Sequence, residues 1–282
     1  MKIQSIAKNL MLAAILAAAA LLAVPNLSAQ QTPANPSPAP ADKSGAQAAP
    51  PAAPKVDPQE EADYKAFYEV PATDNDKHIQ LGEAFVQKYP NSKYTETVYS
   101  TMAQAEYAKQ DFPKMYADAD KAIALNPDDV NVLIIVGWVI PHLPDDASSP
   151  EKLDKAEKYE KHAIETLPTI SKPANLTDEQ FAKSKEADES QAHSGLGLVY
   201  YRKQNFEGAA SEMTKATAGG NDPDPTDYYV LGSALKNLSK YSEAADAFDK
   251  CASMPGSLQG RCKQSADDAK KQAAAKPAPA KP

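Results

Sequence analysis

The chain of 282 residues carries 38 acidic and 30 basic side chains, which gives a net charge of −8. This excess of acid argues against nucleic acid as a partner, because surfaces that bind nucleic acid concentrate lysine and arginine. With only two arginines and 11 glycines, the chain also has little material for bidentate phosphate contacts or for glycine-rich phosphate loops.

The N-terminus has the pattern of a secretory signal peptide over residues 1–29. Two lysines precede an uncharged apolar run from Leu10 to Val24, which is closed by Pro25 and then by Leu27-Ser28-Ala29. This run of 15 residues is shorter than the roughly 20 that span a bilayer as a helix. We therefore expect cleavage after Ala29 and export, to the periplasm if the source is bacterial. The alternative is an uncleaved anchor in the inner membrane, facing the periplasm. No cysteine lies near the cleavage site, so we expect no lipid anchor.

Segments rich in proline and alanine flank the central part of the chain. Residues 30–57 contain no aromatic residue, no leucine and no isoleucine, so they cannot bury enough apolar surface to fold. The tail, residues 273–282, has the same character. We expect both segments to be disordered, with polyproline II character in the linker.

The C-terminal part of the chain repeats itself with a period of 35 residues. Leu196-Gly197 recurs as Leu231-Gly232. Four further pairs have the same offset: Phe206 and Tyr241, Ala209 and Ala244, Met213 and Phe248, and Ala216 and Cys251. Within one copy the spacings are those of two helices, and the small residues allow their backbones to approach closely. Because one such pair cannot bury its apolar face alone, the period predicts an all-α stack of antiparallel helix pairs.

At these positions the sequence resembles the tetratricopeptide repeat family, whose unit of about 34 residues is a pair of helices. The segment ending at Pro127 also has the proline that closes a unit in this family. The resemblance implies a right-handed α-solenoid. It assigns a degenerate helix pair to residues 58–95 and repeats to residues 96–129, 130–170, 190–224 and 225–257. The residues expected to pack the repeats are Ala103, Ala122, Gly137, Ala156, Ala163, Leu196, Gly197, Ala209, Ala216, Leu231, Gly232, Ala244 and Phe248.

Three segments depart from the regular repeat. Residues 141–150 read as a proline-rich insertion in the second repeat. In the connector, residues 171–189, Thr177 and Gln180 fit a capping box. They predict a long helix to about Lys203 that extends outward from the stack. Residues 258–272 read as a polar helix that caps the last repeat.

The two cysteines, Cys251 and Cys262, lie near the boundary between the last repeat and the capping helix. Export implies an oxidising compartment, in which a disulfide would fasten that helix to the repeat. The alternative is two free thiols, with Cys251 serving as a small buried residue at an alanine position.

The remaining candidate chemistry is sparse. The four histidines never occur at paired metal-ligand spacing, so we expect no metal site. The turn at residues 221–227 lacks the central glycine and final glutamate of a calcium loop, and we expect its aspartate or threonine to cap the next helix. We predict no cofactor and no catalytic residue. An enzyme site in the irregular second repeat would rest on the insertion alone.

The family resemblance also implies that partners bind the concave surface, which the first helix of each repeat lines. The corresponding groove residues are Gln104, Tyr107, Trp138, Leu198, Tyr201, Arg202, Tyr229, Ser233 and Lys236. Trp138 alternatively packs under the insertion. We expect a non-catalytic exported scaffold or adaptor that binds a protein or peptide through this groove. The alternative is a structural subunit of a cell-envelope or cell-wall complex.

Overall fold

A computed structural model describes residues 57–173, 176–219 and 224–275. The predicted signal peptide, the linker up to residue 56 and the tail from residue 276 lie outside these ranges. Three residues of the predicted tail are described, and they are helical. The prediction of disorder for residues 273–275 is therefore wrong, because the last helix continues through Ala275.

The described part of the chain is all-α, as predicted, with twelve α-helices and no strand. The helices are α1 (Pro58–Tyr68), α2 (Asn75–Lys88), α3 (Thr95–Lys109), α4 (Phe112–Leu125), α5 (Val130–His142), α6 (Pro144–Ala147), α7 (Pro150–Thr166), α8 (Asp178–Arg202), α9 (Phe206–Ala218), α10 (Pro225–Asn237), α11 (Tyr241–Ser253) and α12 (Gln259–Ala275). A 3₁₀ turn, Leu167–Thr169, follows α7. None of these helices combines the length and apolar character needed to cross a membrane.

The helices pack in chain order. The pairs are α1 with α2, α3 with α4, α5 with α7, α8 with α9, and α10 with α11, and α12 packs on α11. The first helices of neighbouring pairs also touch: α3 contacts α5, α5 contacts α8, and α8 contacts α10. The result is a repeat-like stack in which the first helices form a continuous layer.

Local hydrogen bonds set where the helices begin. The side chain of Asp129 accepts from the backbone N–H of Val132 at the start of α5, and Asp224 caps α10 in the same manner. At α8 the capping box is complete, with Thr177 and Gln180 each accepting from the other's backbone N–H. The predicted start of this long helix is confirmed, and so is an aspartate cap on α10.

The seams between paired helices depend on small residues. All thirteen residues predicted to pack the repeats are buried. A Cβ added to Gly197 would lie 2.9 Å from Cγ and 3.2 Å from the backbone nitrogen of Met213. A Cβ added to Gly232 would lie 2.8 Å from the ring of Phe248. These glycines therefore set the distance between the two helices of a pair.

The third pair, α5 with α7, contains a buried acid in its seam. Met213 and Phe248 each follow their seam glycine by 16 residues, and Glu160 follows Gly137 by 23 because the insertion adds seven. Glu160 is fully buried, and neither carboxyl oxygen has a hydrogen-bond partner among the described residues. It packs against Gly137 and Gly195, where side chains would clash with it. Burial raises its pKa well above 4.5, which favours the neutral acid.

Within the predicted insertion, residues 141–150, Pro141 and His142 end α5, Pro144–Ala147 form the short helix α6, and Pro150 begins α7. The hydroxyl of Tyr116 donates a hydrogen bond of 2.6 Å to Asp146 of α6, and Lys152 forms an ion pair with the same carboxylate. Contacts from α4 and α7 thus hold the insertion in place.

A disulfide joins Cys251, in the last turn of α11, to Cys262, in the first turn of α12. Both cysteines are fully buried. Closing a loop of this length stabilises a folded protein by about 2 to 3 kcal/mol. The last helix is therefore fixed covalently to the end of the stack.

The seam glycines give a direct test of helix packing. Gly197→Ala is expected to destabilise the protein by about 1 to 3 kcal/mol, because its new methyl group meets the backbone of α9. Gly260→Ala is the control, since a Cβ at this position in α12 meets nothing within 4 Å. The control should be neutral or stabilising by about 0.5 to 1 kcal/mol. Urea unfolding measures both, and equal effects would contradict the packing described for Gly197.

Replacement of Glu160 by methionine is expected to stabilise the protein by about 1 to 3 kcal/mol in acid, because an unpaired buried polar group is removed. The folded state holds the proton of Glu160 more tightly than the unfolded state. Wild-type stability is therefore lost as the pH rises from 4.5 to the raised pKa of the folded state. Over that interval the advantage of the variant grows by about 1.4 kcal/mol per pH unit, and above it the advantage is constant. Urea unfolding across a pH series tests this expectation. Glu165→Met, at an exposed position of α7, should show no such dependence of stability on pH. A Glu160→Met variant with the same stability as the wild type at every pH would contradict the burial of a neutral acid.

Candidate functional site

Residues of α1, α2, α3, α5 and α8 and of the segment after α7 surround a cavity of about 530 Å³. This volume lies within the roughly 300 to 1,000 Å³ typical of ligand pockets. The cavity is bounded by the end of α1, by α3, by the start of α5 and by the first half of α8. Four polar side chains of α3 line it: Thr97, Ser100, Thr101 and Gln104.

The N-terminal half of α8 forms one wall of the cavity. Phe181, Ser184, Lys185 and Asp188 line it, together with residues of the segment that follows α7. No residue from Asp178 to Gln191 is buried, so this half reaches beyond the tightly packed layer. One of its faces supplies both apolar and charged groups to the cavity.

Three buried polar atoms in residues that line the cavity have no hydrogen-bond partner among the described residues. They are the hydroxyl oxygens of Tyr68 and Tyr107 and Oδ2 of Asp129. Tyr107 is only 5% exposed and Asp129 only 7%. Leaving such a group unpaired costs about 1 to 3 kcal/mol. None of the three atoms is accessible to solvent, so they lie within the cavity wall and do not face its open space.

Burial also shifts the acid–base properties of the lining. It raises the pKa of Asp129, although the Ser100 hydroxyl and the backbone of α5 oppose the shift. It raises the pKa of Asp188 to about 7 and lowers that of His78. All three directions have the same largest cause, since burial disfavours the charged form of a carboxyl group and of an imidazole alike.

The charges that line the cavity are mostly negative. Glu96, Asp128, Asp129 and Asp188 face a single cationic residue, Lys185. Two of the four acids already have partners: Glu96 accepts from Asn126 at 3.2 Å, and Asp128 contacts His162 at 2.7 Å.

The predicted groove residues do not form one surface. Gln104 and Tyr107 line the cavity. Trp138 is buried: it stacks on His142 with ring centroids 3.7 Å apart and meets the edge of Tyr107 at 6.2 Å. Leu198 is buried in the cluster that joins α8 to α10. The expected exposure of Tyr107, Trp138 and Leu198 is wrong, because contacts within and between first helices cover these positions. For Trp138 the alternative agrees with the structure, since His142, on which it stacks, belongs to the insertion.

The C-terminal members of the predicted groove surround a second, smaller opening of about 440 Å³. Tyr201, Tyr229, Ser233 and Lys236 line it, and Lys236 forms an ion pair with Asp268 of α12. Arg202 lines neither opening; its Nε donates to the carbonyl of Pro141 at 3.1 Å, which ties α8 to α5.

Sequence reasoning did not identify Tyr68, Asp129 or Asp188 as site residues. The sequence gives an indication for Asp129 alone, since this residue lies in the acidic turn after Pro127 that precedes α5. Tyr68 and Asp188 lie 120 residues apart in the chain, and their nearness follows only from the stacking of α1, α3, α5 and α8.

The sequence matches no protein-family model and no curated protein. The described residues also contain no cluster of histidine, cysteine or acidic side chains able to hold a metal ion. The function of the chain is therefore inferred from the cavity and its lining.

Tyr107→Phe tests whether the tyrosine hydroxyl is free in the unliganded protein. We expect the variant to be as stable as the wild type, or up to about 1 kcal/mol more stable, because no hydrogen bond is lost. The matched control is Tyr116→Phe, which removes a hydroxyl that donates to Asp146 and should cost about 1 to 3 kcal/mol. Urea unfolding measures the stability of both variants. If Tyr107→Phe lost as much stability as Tyr116→Phe, the hydroxyl of Tyr107 would be hydrogen-bonded in the wild type.

Proposed function

We propose that the protein is a non-catalytic scaffold or adaptor that binds a protein or peptide in the cavity lined by α1, α3, α5 and α8. The observation that carries this proposal is the cavity itself, about 530 Å³ in volume and lined by aromatic and polar side chains from several helices. A partner segment would cover the aromatic side chains of Tyr68 and Phe181 and form hydrogen bonds with the polar side chains of α3. Both effects favour binding.

We also propose a right-handed solenoid of the tetratricopeptide type for this scaffold. The seam glycines, the ordered pairing of helices and the contacts between successive first helices support the proposal. In such a stack each pair contacts only its neighbours, so a binding surface extends along the layer of first helices. The cavity belongs to this layer.

The proposal also includes export of the protein. The N-terminal pattern of residues 1–29 supports a secreted or periplasmic location. The buried disulfide between Cys251 and Cys262 is the kind of bond that persists in an oxidising compartment. We propose that the adaptor works in the cell envelope and meets its partner there.

Site-specific photocrosslinking in the native cell tests the binding surface. A benzophenone amino acid replaces Gln104, which lines the cavity, or Ala124, an exposed residue of α4 that serves as the control. We expect one recurring protein adduct at position 104 and none at position 124. Mass spectrometry would identify the captured peptide.

Two outcomes would count against this function. The absence of any adduct at position 104, in cells that express the protein, would argue against partner binding in the cavity. Equal capture of the same neighbour at both positions would indicate burial in a large assembly and so favour a structural subunit.

A further inference from the structure

Six acidic side chains are buried in the described part of the chain, and they fall into two groups. Asp118 is paired with Lys121, and Asp146 with Lys152. Asp129 caps the start of α5. The other three form no ion pair among the described residues, and we call them the interhelical acids: Glu106 of α3, Glu160 of α7 and Asp227 of α10.

The interhelical acids lie where helices contact one another. Glu160 packs against Gly137 of α5 and Gly195 of α8, where an added Cβ would clash with its carboxyl group. Asp227, in the first turn of α10, accepts a hydrogen bond of 2.6 Å from the Ser194 hydroxyl of α8. These two carboxyl groups therefore belong to the contacts of α7 and α10 with the layer of first helices.

Glu106 occupies a similar position between α3 and α4, and it is only 1% exposed. The charged groups that act on it are Glu83 of α2 and, at the start of α4, Asp111, Lys114 and Asp118. Three of these four are acids, and the lysine is already paired with Glu83 at 3.1 Å. Oε2 of Glu106 has no hydrogen-bond partner among the described residues. An ionised Glu106 would thus have no cation of its own.

The interhelical acids cannot ionise in place without a large loss of hydration, because neither a cation nor a set of donors replaces the water. Burial raises the pKa of Glu106 to about 8, that of Asp227 to about 7 and that of Glu160 well above 4.5. The Asp224 carboxylate adds to the shift in the pKa of Asp227, and the Ser194 hydroxyl opposes it. Burial alone accounts for the raised pKa of Glu160.

We propose that the stack is a pH-responsive device, in which protonated Glu106, Glu160 and Asp227 keep the helices in contact and their ionisation above neutral pH separates them. Separated helices admit water, which stabilises the carboxylates. The opened state then binds fewer protons than the closed state, so the closed state loses stability as the pH rises. Because α3, α5 and α8 line the cavity, the same change of pH alters its walls, whatever the cavity binds.

The remaining titratable groups with altered pKa set the pH range of the test. Burial lowers the pKa of His78 and brings that of His142 to about 4. Protonation of these histidines in the unfolded state makes stability rise with pH, which is opposite to the expected change and is nearly complete above about pH 6.5. Burial raises the pKa of Asp188 to about 7. This residue is only half-buried and borders the cavity, so its carboxylate can be hydrated without movement of the helices.

Hydrogen exchange of the full-length protein, followed by mass spectrometry, tests the proposal. Protection factors correct for the intrinsic dependence of amide exchange on pH. An opening that releases one proton lowers the protection factor tenfold per pH unit, so between about pH 6.5 and about pH 8 we expect a loss of at least about tenfold in α3, α4 and α7. The loss at the start of α10 should be smaller, because Asp227 ionises near pH 7. The last two helices, α11 and α12, contain no buried acid and should change less than about threefold.

Neutral side chains of the same shape show which groups cause the effect. The variant that combines Glu106→Gln, Glu160→Gln and Asp227→Asn resembles the protonated protein at every pH. Its protection factors in α3, α4 and α7 should therefore change less than about threefold over the same range. If this triple variant does not fold, Glu106→Gln alone should abolish the loss in α3 and α4 and retain the loss in α7.

The matched control removes three exposed acids and so changes the net charge by the same amount: Glu165→Gln, Glu207→Gln and Asp267→Asn. Because these side chains are hydrated in the folded state, the control should behave like the wild type.

Three results would overturn the proposal. The first is a set of wild-type protection factors that stay constant between the two pH values. The second is a loss in the folded Gln and Asn variants as large as that in the wild type. The third is an equal loss in α11 and α12, which would indicate unfolding of the whole chain and not opening at the interhelical acids.

Discussion

The close approach of consecutive helices is the constraint on which the rest of the structure depends. Gly197 and Gly232 have no room for a side chain against the facing helix. This spacing fixes the position of each helix relative to the next, and it is passed along the stack from pair to pair. The layer of first helices is a product of that spacing, and so is the cavity between α1, α3, α5 and α8.

Much of the helical packing follows from short-range patterns. The packing positions were predictable because small and apolar residues at helical spacings specify a seam wherever they occur. Caps at Thr177 and Asp224 were predictable for the same local reason. The cavity was harder to foresee, since it unites helices that are far apart in the chain. Trp138 and Leu198 show the difficulty, because their exposure depends on the neighbouring helix and not on their own position.

Glu160 and the cavity acids illustrate two uses of a buried carboxyl group. Glu160 lies between glycines in the interior, where no ligand is required to account for the fit. Asp129 and Asp188 lie beside open space that a ligand could occupy. Burial raises the pKa of all three, so an altered pKa alone does not distinguish a packing role from a binding role. The surroundings do distinguish the three groups, because Asp129 and Asp188 belong to residues that line a cavity and Glu160 does not.

The disulfide between Cys251 and Cys262 makes the two ends of the stack unequal. The C-terminal end is closed by a covalent bond, whereas the described helices at the other end are held by noncovalent contacts alone. In a linear array, local opening begins where neighbours are fewest and weakest. We therefore expect α1 and α2 to open before α11 and α12. Since α1 forms one wall of the cavity, local unfolding of α1 would also open that wall and widen the entrance to the cavity.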